Sequence, residues 1–339
     1  MNARPDSAPV VDRLARPLRD LRLSVIEACN FRCGYCMPAD RIPEDYGLDA
    51  AGRLSFEAIE TLARAAARLG ATTLRITGGE PLLRRGLPEL VARLARIEGI
   101  DDLAMTTNGA LLARHAGPLR AAGLRRITVS LDALDPALFR QLSGGRGDVA
   151  DVLAGIAAAE AAGFGPLKIN CVVQRGVNEA EVEGLVAHFR GSGHVLRFIE
   201  YMDVGTCNGW RREGVVSSAE LRDRIHARWP LRALDANYRG EVARRHAFLD
   251  GAGEIGFVSS VSAPFCGDCH RARVSADGHL YTCLFSSRGV DLRPALAQGE
   301  VAAAARLAQI WSQRADRYSE LRGSAQVPRR HVEMFLVGG

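Results

Sequence analysis

The chain has 339 residues, eight of them cysteine, with a formal charge of +5 and 47% hydrophobic residues. That length allows one large domain or two, and that apolar fraction can build a core. No stretch approaches the ~18 continuous apolar residues of a membrane helix, which argues against a membrane partner, and the modest charge does not call for nucleic acid.

Taken in chain order, residues 1–12 are Pro-containing and polar and are expected to form a disordered tail. The first twenty residues lack the apolar core of a signal peptide, so a cytoplasmic setting is expected, where thiols hold metal more often than they pair. From Leu21 to about Met202, short apolar runs alternate with amphipathic ones. Strands are expected over 21–27, 73–77, 102–106, 126–131, 167–174 and 195–201. Helices are expected over 56–69, 87–97, 111–122, 136–142, 149–162 and 179–189. Ser55 reads as an N-cap, and Asp135-Pro136 as an N-cap followed by proline at the first helical position. Asn178 with Glu181 three residues on resembles a capping box, and Gly70, Gly123 and Gly163 end helices.

Strand–helix alternation means a parallel sheet. Six units are too few for a closed eight-unit barrel, which leaves an α/β fold with a partial (βα)6 TIM-like open barrel over 13–230, its site at the C-terminal ends of the strands. The remainder, 231–339, is less regular and is expected to be a separate C-terminal domain. A helix is expected over 217–229, a strand over 254–258 and a helix near 301–317.

Six cysteines fall into two distant triads: Cys29, Cys33 and Cys36 in CNFRCGYC, and Cys266, Cys269 and Cys283 in CGDCHRARVSADGHLYTC. Thiolate sulfur suits zinc and iron–sulfur clusters. A structural zinc site wants four closed ligands, and each triad offers three. If each held a cubane cluster, one iron would stay open to substrate or cofactor. Zinc completed by His270 or Asp268 is the competing reading for the second triad. Cys171 lies in an apolar strand and reads as core; Cys207, in TCNGW, is a weak candidate for an extra ligand.

Among 44 Lys plus Arg, Lys168 is the single lysine. Wherever Lys and Arg are interchangeable this chain carries Arg, so the exception points to a site needing a compact ammonium. Other residues gather at the expected strand ends: Thr77-Gly78-Gly79-Glu80-Pro81, Thr106-Thr107-Asn108-Gly109, Ser130-Leu131-Asp132 and Glu200-Tyr201-Met202. Gly78 and Gly79 would let backbone approach a ligand closely. Arg271 and Arg273 share one face of an extended stretch beside the second triad and would clamp an anion such as phosphate.

The first triad, with an aromatic before its last cysteine, resembles the radical S-adenosylmethionine (SAM) superfamily. That resemblance implies that Cys29, Cys33 and Cys36 ligate a [4Fe-4S] cluster, that SAM chelates its open iron, and that Tyr35, Gly79, Glu80, Ser130 and Met202 lie near SAM. The segments LRLSVIEACNFRCGYCMP, LRITGGEPLLR, MTTNG, VSLDAL and RFIEYMDVG, the second triad with R-x-R, and the terminal Gly-Gly together resemble the GTP 3′,8-cyclase family of molybdenum cofactor biosynthesis. The likeness spans Leu21 to Gly339. It implies a second [4Fe-4S] cluster on Cys266, Cys269 and Cys283 that holds guanine, and a GTP site lined by Arg22, Arg75, Thr106, Lys168, Arg271, Ala272 and Arg273. It also implies a catalytic role for Arg271, Arg273, Gly338 and Gly339. His270 stands where the family usually has Asn, and Tyr281-Thr282 where a basic residue and proline are usual.

The reaction so implied removes hydrogen from C3′ of the GTP ribose and closes C3′ onto C8 of guanine. An external one-electron reductant and a downstream cyclic pyranopterin monophosphate synthase are the implied partners, and a homodimer is left open. The competing enzyme is a radical SAM peptide-modifying enzyme with an auxiliary cluster, which usually carries more C-terminal cysteines. A zinc-bound structural or nucleic-acid-binding module is the non-enzymatic alternative; near-balance of acidic and basic residues speaks against it.

Overall fold

The computed structural model describes residues 9–43, 46–47, 49–324 and 330–338. Six parallel strands form its centre: β1 (Asp20–Ser24), β2 (Thr73–Thr77), β3 (Asp102–Thr107), β4 (Arg126–Ser130), β5 (Lys168–Val173) and β6 (Val195–Glu200). The helices of this half are α1 (Phe56–Arg68), α2 (Leu87–Leu94), α3 (Leu112–Ala121), α4 (Pro136–Leu142), α5 (Val149–Ala161), α6 (Val182–Phe189) and α7 (Ser218–Arg228). Ser55 and Asp135 cap α1 and α4 as expected, accepting from the backbone N–H of Ala58 and Leu138.

The capping box at Asn178 does not form. Its side chain is fully buried and ties β5 to the loop after β4, donating to the carbonyls of Asp132 and Val172 at 2.9 Å. Glu181 instead accepts from the N–H groups of Leu134 and Asp135.

The C-terminal third adds β7 (Leu231–Ala233), β8 (Arg244–Phe248), β9 (Glu254–Val258), β10 (Arg271–Val274), β11 (His279–Tyr281) and β12 (Val290–Asp291). It also adds α8 (Arg293–Ala297), α9 (Glu300–Ser312), α10 (Tyr318–Leu321) and α11 (Met334–Val337). Its strands join the same sheet, in the order β12-β11-β10-β1-β2-β3-β4-β5-β6-β9-β8-β7. The sheet has two ends that do not meet, so the barrel is open. The segments on either side of the expected boundary at 230 therefore share one sheet, with β10 parallel to β1 and β9 parallel to β6.

Part of the expected tail is packed: Val11 bridges Pro17, and Asp12 is buried. Residues 1–8 lie outside the described residues. The helix expected to reach 317 ends at Ser312, and Arg314 beyond it turns inward to Asp12.

Strand alternation sends Leu21, Leu23, Leu74 and Ile76 into the core. The arginines between them, Arg22 and Arg75, face the opposite side, into one large cavity. No described helix is long and apolar enough to cross a membrane.

Candidate active site

The cavity lies on the inner face of the sheet, and both cysteine triads line it. At its upper end, Cys29, Cys33 and Cys36 stand on the loop after β1. The N–H groups of Cys36 and Met37 both reach the carbonyl of Cys33 at 2.9 Å, forming a tight turn. The Phe31 N–H points at the Cys29 sulfur at 3.4 Å, and Asn108 Nδ2 at 3.8 Å. Backbone and amide donors aimed at sulfur suit a ligated thiolate better than a thiol. Without a bound group, burial pushes the Cys29 thiol up to about 11.

Gly78 and Gly79 lie flush against this loop. The Gly79 N–H donates to the Ile26 carbonyl at 2.7 Å, and a Cβ on Gly79 would stand 2.2 Å from the Ala28 carbonyl oxygen. The glycines are required here by the approach of two backbones. Glu80 is fully buried and its carboxylate accepts from Thr107 Oγ1, Asn108 N and Leu82 N, knitting the β2 and β3 ends together. Burial raises its pKa to about 7 against those hydrogen bonds. Gly79 lines the cavity and Glu80 does not. Tyr35 donates to Asp132 Oδ2 at 2.7 Å, and both line the cavity with Ser130 and Met202.

At the other end, Cys266 and Cys269 precede β10 and Cys283 follows β11. Arg271 Nη2 lies 3.3 Å from the Cys269 sulfur, and its guanidinium stacks 5.2 Å from the Phe265 ring centroid. Among the described residues, no three His, Cys, Asp or Glu side chains converge on a single metal ion. One zinc needs its thiolates about 2.3 Å from a common centre, whereas each ligand of an iron–sulfur cluster holds a different iron. Both triads are free thiols that open on the cavity, a donor set that suits an iron–sulfur cluster.

Between the triads the sheet presents cations. Arg22 pairs in register with Arg273 on one side and Arg75 on the other, and Asn170 with Arg197. Arg75 reaches toward Thr106 and Thr128 Oγ1, each at 3.5 Å. Burial first, then the neighbouring cations, bring Lys168 down to about 7 and Arg273 to about 10. Arg22 is pushed down by burial and by Arg273, with Asp20 as its nearby counter-charge. Nε of Arg22, Nε of Arg75 and both ring nitrogens of His270 are buried without a protein partner. Clustered cations with unused buried donors are costly unless an anion completes them. A polyanionic ligand fits this floor.

The tail enters the same region. Arg273 Nη1 donates to the Gly338 carbonyl, and Gly338 has a φ of +69° with Thr77 against it. Gly339 lies outside the described residues. Ala272 is fully buried and faces the core side.

Residues 23–189 match the Radical SAM superfamily, and residues 194–320 match Molybdenum Cofactor Synthesis C. The GTP 3′,8-cyclase of Xanthomonas campestris pv. campestris strain B100 is 74% identical over 98% of both chains. Those of Acidothermus cellulolyticus and Staphylococcus haemolyticus are 52% and 42% identical over 98% of this chain and 99% of theirs. The chain belongs to the GTP 3′,8-cyclase family. In fold it is similar to Streptococcus suis SuiB bound to S-adenosylmethionine, with a TM-score of 0.61 at 17% identity over 91% of this chain and 68% of that one.

Within this family chain, sequence reasoning passed over several cavity residues. Arg197 is one, although Leu196-Arg197-Phe198 repeats the pattern of Leu21-Arg22-Leu23 and Leu74-Arg75-Ile76. An arginine flanked by core residues on three strands of one sheet marks a common inner face. Asp20, Asn170 and Tyr238 also line the cavity. Cys171 is core, 1% exposed, as expected. Cys207 donates to Glu333 Oε2 at 2.9 Å and lies 3.7 Å from the Cys36 carbonyl, on the rim of the first triad.

Proposed function

We propose that this chain closes C3′ of GTP onto C8 of its own guanine, yielding 3′,8-cyclo-7,8-dihydro-GTP for molybdenum cofactor synthesis. The observation that carries this reading is the single cavity lined at one end by Cys29, Cys33 and Cys36, at the other by Cys266, Cys269 and Cys283, with a cationic floor between. When bound, [4Fe-4S] clusters on the two triads, with SAM at the first, supply the 5′-deoxyadenosyl radical and an open iron for the base.

The chain's own residues bind and aim. Lys168, Arg271 and Arg273 hold the triphosphate, using one ammonium and guanidinium forks, with Arg22 and Arg75 lining the floor beside them. Arg271 and Arg273 flank the second triad; each guanidinium carries five N–H donors, so the contacts to Cys269 and Gly338 leave others for substrate. Thr106 offers a hydroxyl beside Arg75. Tyr35, Gly79, Ser130 and Met202 border the first triad and would contact SAM, while Glu80 holds that border in place from behind. Orientation is the essential contribution, since a primary carbon radical takes whichever hydrogen it meets. An external one-electron reductant serves the first triad, and a cyclic pyranopterin monophosphate synthase consumes the product. These steps belong in the cytoplasm.

GTP deuterated only at C3′ should pass deuterium to 5′-deoxyadenosine, while label at C2′ or C4′ should stay in the nucleotide. Label arriving from either of those positions, or from a peptide and never from GTP, sinks the assignment.

A further inference from the structure

Against the second triad lies a buried group of charges, of which Arg314 also lines the cavity. Asp12 Oδ1 accepts from the N–H groups of Leu14 and Arg16, both at 2.9 Å. Its Oδ2 accepts from Arg16 Nε at 2.6 Å and Arg314 Nη1 at 3.1 Å. The side chains of all three are at most 2% exposed. Each arginine then reaches a loop that carries the auxiliary cysteines. Arg16 Nη1 donates to the Cys266 carbonyl at 2.6 Å and to that of Asp316 at 2.9 Å. Arg314 Nη1 donates to the Cys269 carbonyl at 2.6 Å, and its Nε to the carbonyl of Thr282, the neighbour of Cys283, at 3.0 Å. The Trp311 ring lies under Arg314, centroid 4.6 Å away, and donates from Nε1 to the Arg16 carbonyl at 2.9 Å.

Asp12 thus orients two guanidiniums, Asp316 Oδ2 stands 3.4 Å from Arg314 Nε, and the two arginines span all three ligand positions. Cys266 and Cys269 come before β10 and Cys283 after β11; the same pair of arginines grips both loops. A buried ion triad is an expensive way to stabilise a fold, because apolar residues of similar volume do as well or better. The arrangement makes sense if the loops must be held at fixed spacing around a group that responds to the charges placed beside it. A cluster on three thiolates is such a group, and nearby positive charge and outer hydrogen bonds favour its reduced form.

The geometry points to Asp12, Arg16 and Arg314 as a positioning network that sets the spacing of Cys266, Cys269 and Cys283 and tunes the reduction potential of the cluster they carry. This rests on the reading that the second triad binds an iron–sulfur cluster. These residues act through the ligand loops, although Arg314 also lines the cavity.

The test uses the full-length, cluster-loaded protein as parent, Asp12→Asn and Arg314→Lys. Iron release to a chelator, the electron paramagnetic resonance signal of each cluster, and its potential are followed separately. Both variants should keep the first cluster's signal and reductive SAM cleavage. The second cluster should lose iron roughly 10–100-fold faster, the usual cost of removing an outer partner. Its signal should change, and its potential should move upward in Asp12→Asn, which removes a negative charge, and by less in Arg314→Lys, which keeps its charge. An unchanged release rate, signal and potential at the second cluster overturns the inference while leaving the cluster reading intact. Loss of both clusters together in both variants overturns it too, because the network would then serve the fold as a whole. A parent that holds zinc at the second triad overturns the cluster reading first and this inference with it.

Discussion

Arg273 and Gly338, 65 positions apart, are joined by a hydrogen bond from guanidinium to carbonyl. The contact brings the end of the chain to the cationic floor. Gly338 is suited to it by a left-handed φ of +69°, and an added Cβ would stand 2.1 Å from Thr77 Cγ2. Gly338→Ala should therefore dislodge the tail. Cyclisation should fall by about tenfold or more, equivalent to ~1.4 kcal/mol of barrier, with iron content and 5′-deoxyadenosine formation retained. Parallel assays of the two products decide it: equal rates in variant and parent would leave the tail without a catalytic part.

Lys168 carries a pH prediction. Burial and the charges of Arg197, Arg126 and Arg75, opposed by Glu241, bring it to about 7. The ammonium is thus partly lost in the free protein near neutrality, and a bound triphosphate restores it. GTP affinity should fall as pH rises through about 7, and binding at pH 8 should take up a proton, measurable by calorimetry in buffers of different ionisation enthalpy. Lys168→Arg stays charged, so proton uptake should vanish and affinity should drop by about tenfold through lost geometry. Since the unfolded lysine titrates near 10.5, the folded state binds fewer protons from pH 7 to 10.5. Lys168 accordingly weakens the fold at and below pH 7, a cost that fades as pH rises, and Lys168→Met should melt at a higher temperature at pH 7.

The triads should be separable. Replacing Cys29, Cys33 and Cys36 by Ala should abolish SAM cleavage and leave iron on the second triad. Replacing Cys266, Cys269 and Cys283 should keep reductive SAM cleavage and stop cyclisation. Turnover of GTP by the second variant would remove that triad from the substrate site.

Glu80 should act on stability. Its carboxylate receives three donors, and Gln offers one oxygen plus an N–H₂ that meets a donor. Glu80→Gln should cost about 1–3 kcal/mol at pH 8, read from denaturant unfolding. Because the folded Glu80 pKa is raised to about 7 from 4.5, folding takes up a proton below pH 7 and stabilises the parent alone, so the difference between the two proteins should widen at pH 6. A constant gap across that range would contradict the assigned burial.

The strand–helix order was legible in the sequence because period-2 and period-3.6 patterns are local. The six core strands and Glu254–Val258 appear within a few residues of expectation. Cys29, Cys33 and Cys36 were legible by spacing, and Lys168 by being alone. Pairings across long separations were not. Nothing local to Asp12 announces Arg314, 302 positions away, and nothing in Glu254–Val258 announces that it lies beside β6. Asn178 and Glu181 mimicked a cap because short-range patterns cannot register a buried partner such as Asp132.

The shared sheet ties the order of synthesis to the risk of misassembly. Both borders of the six-strand core, β1 and β6, are covered by β10 and β9, which come from the last third of the chain. Until residue 258 has left the ribosome two lines of unpaired N–H and C=O groups stand open to other chains, and until residue 274 one still does. The N-terminal half is complete in sequence long before it is complete in hydrogen bonds. Shortening the protein from its C-terminus would thus do more than remove a binding site: it would turn the remaining half into a template for aggregation.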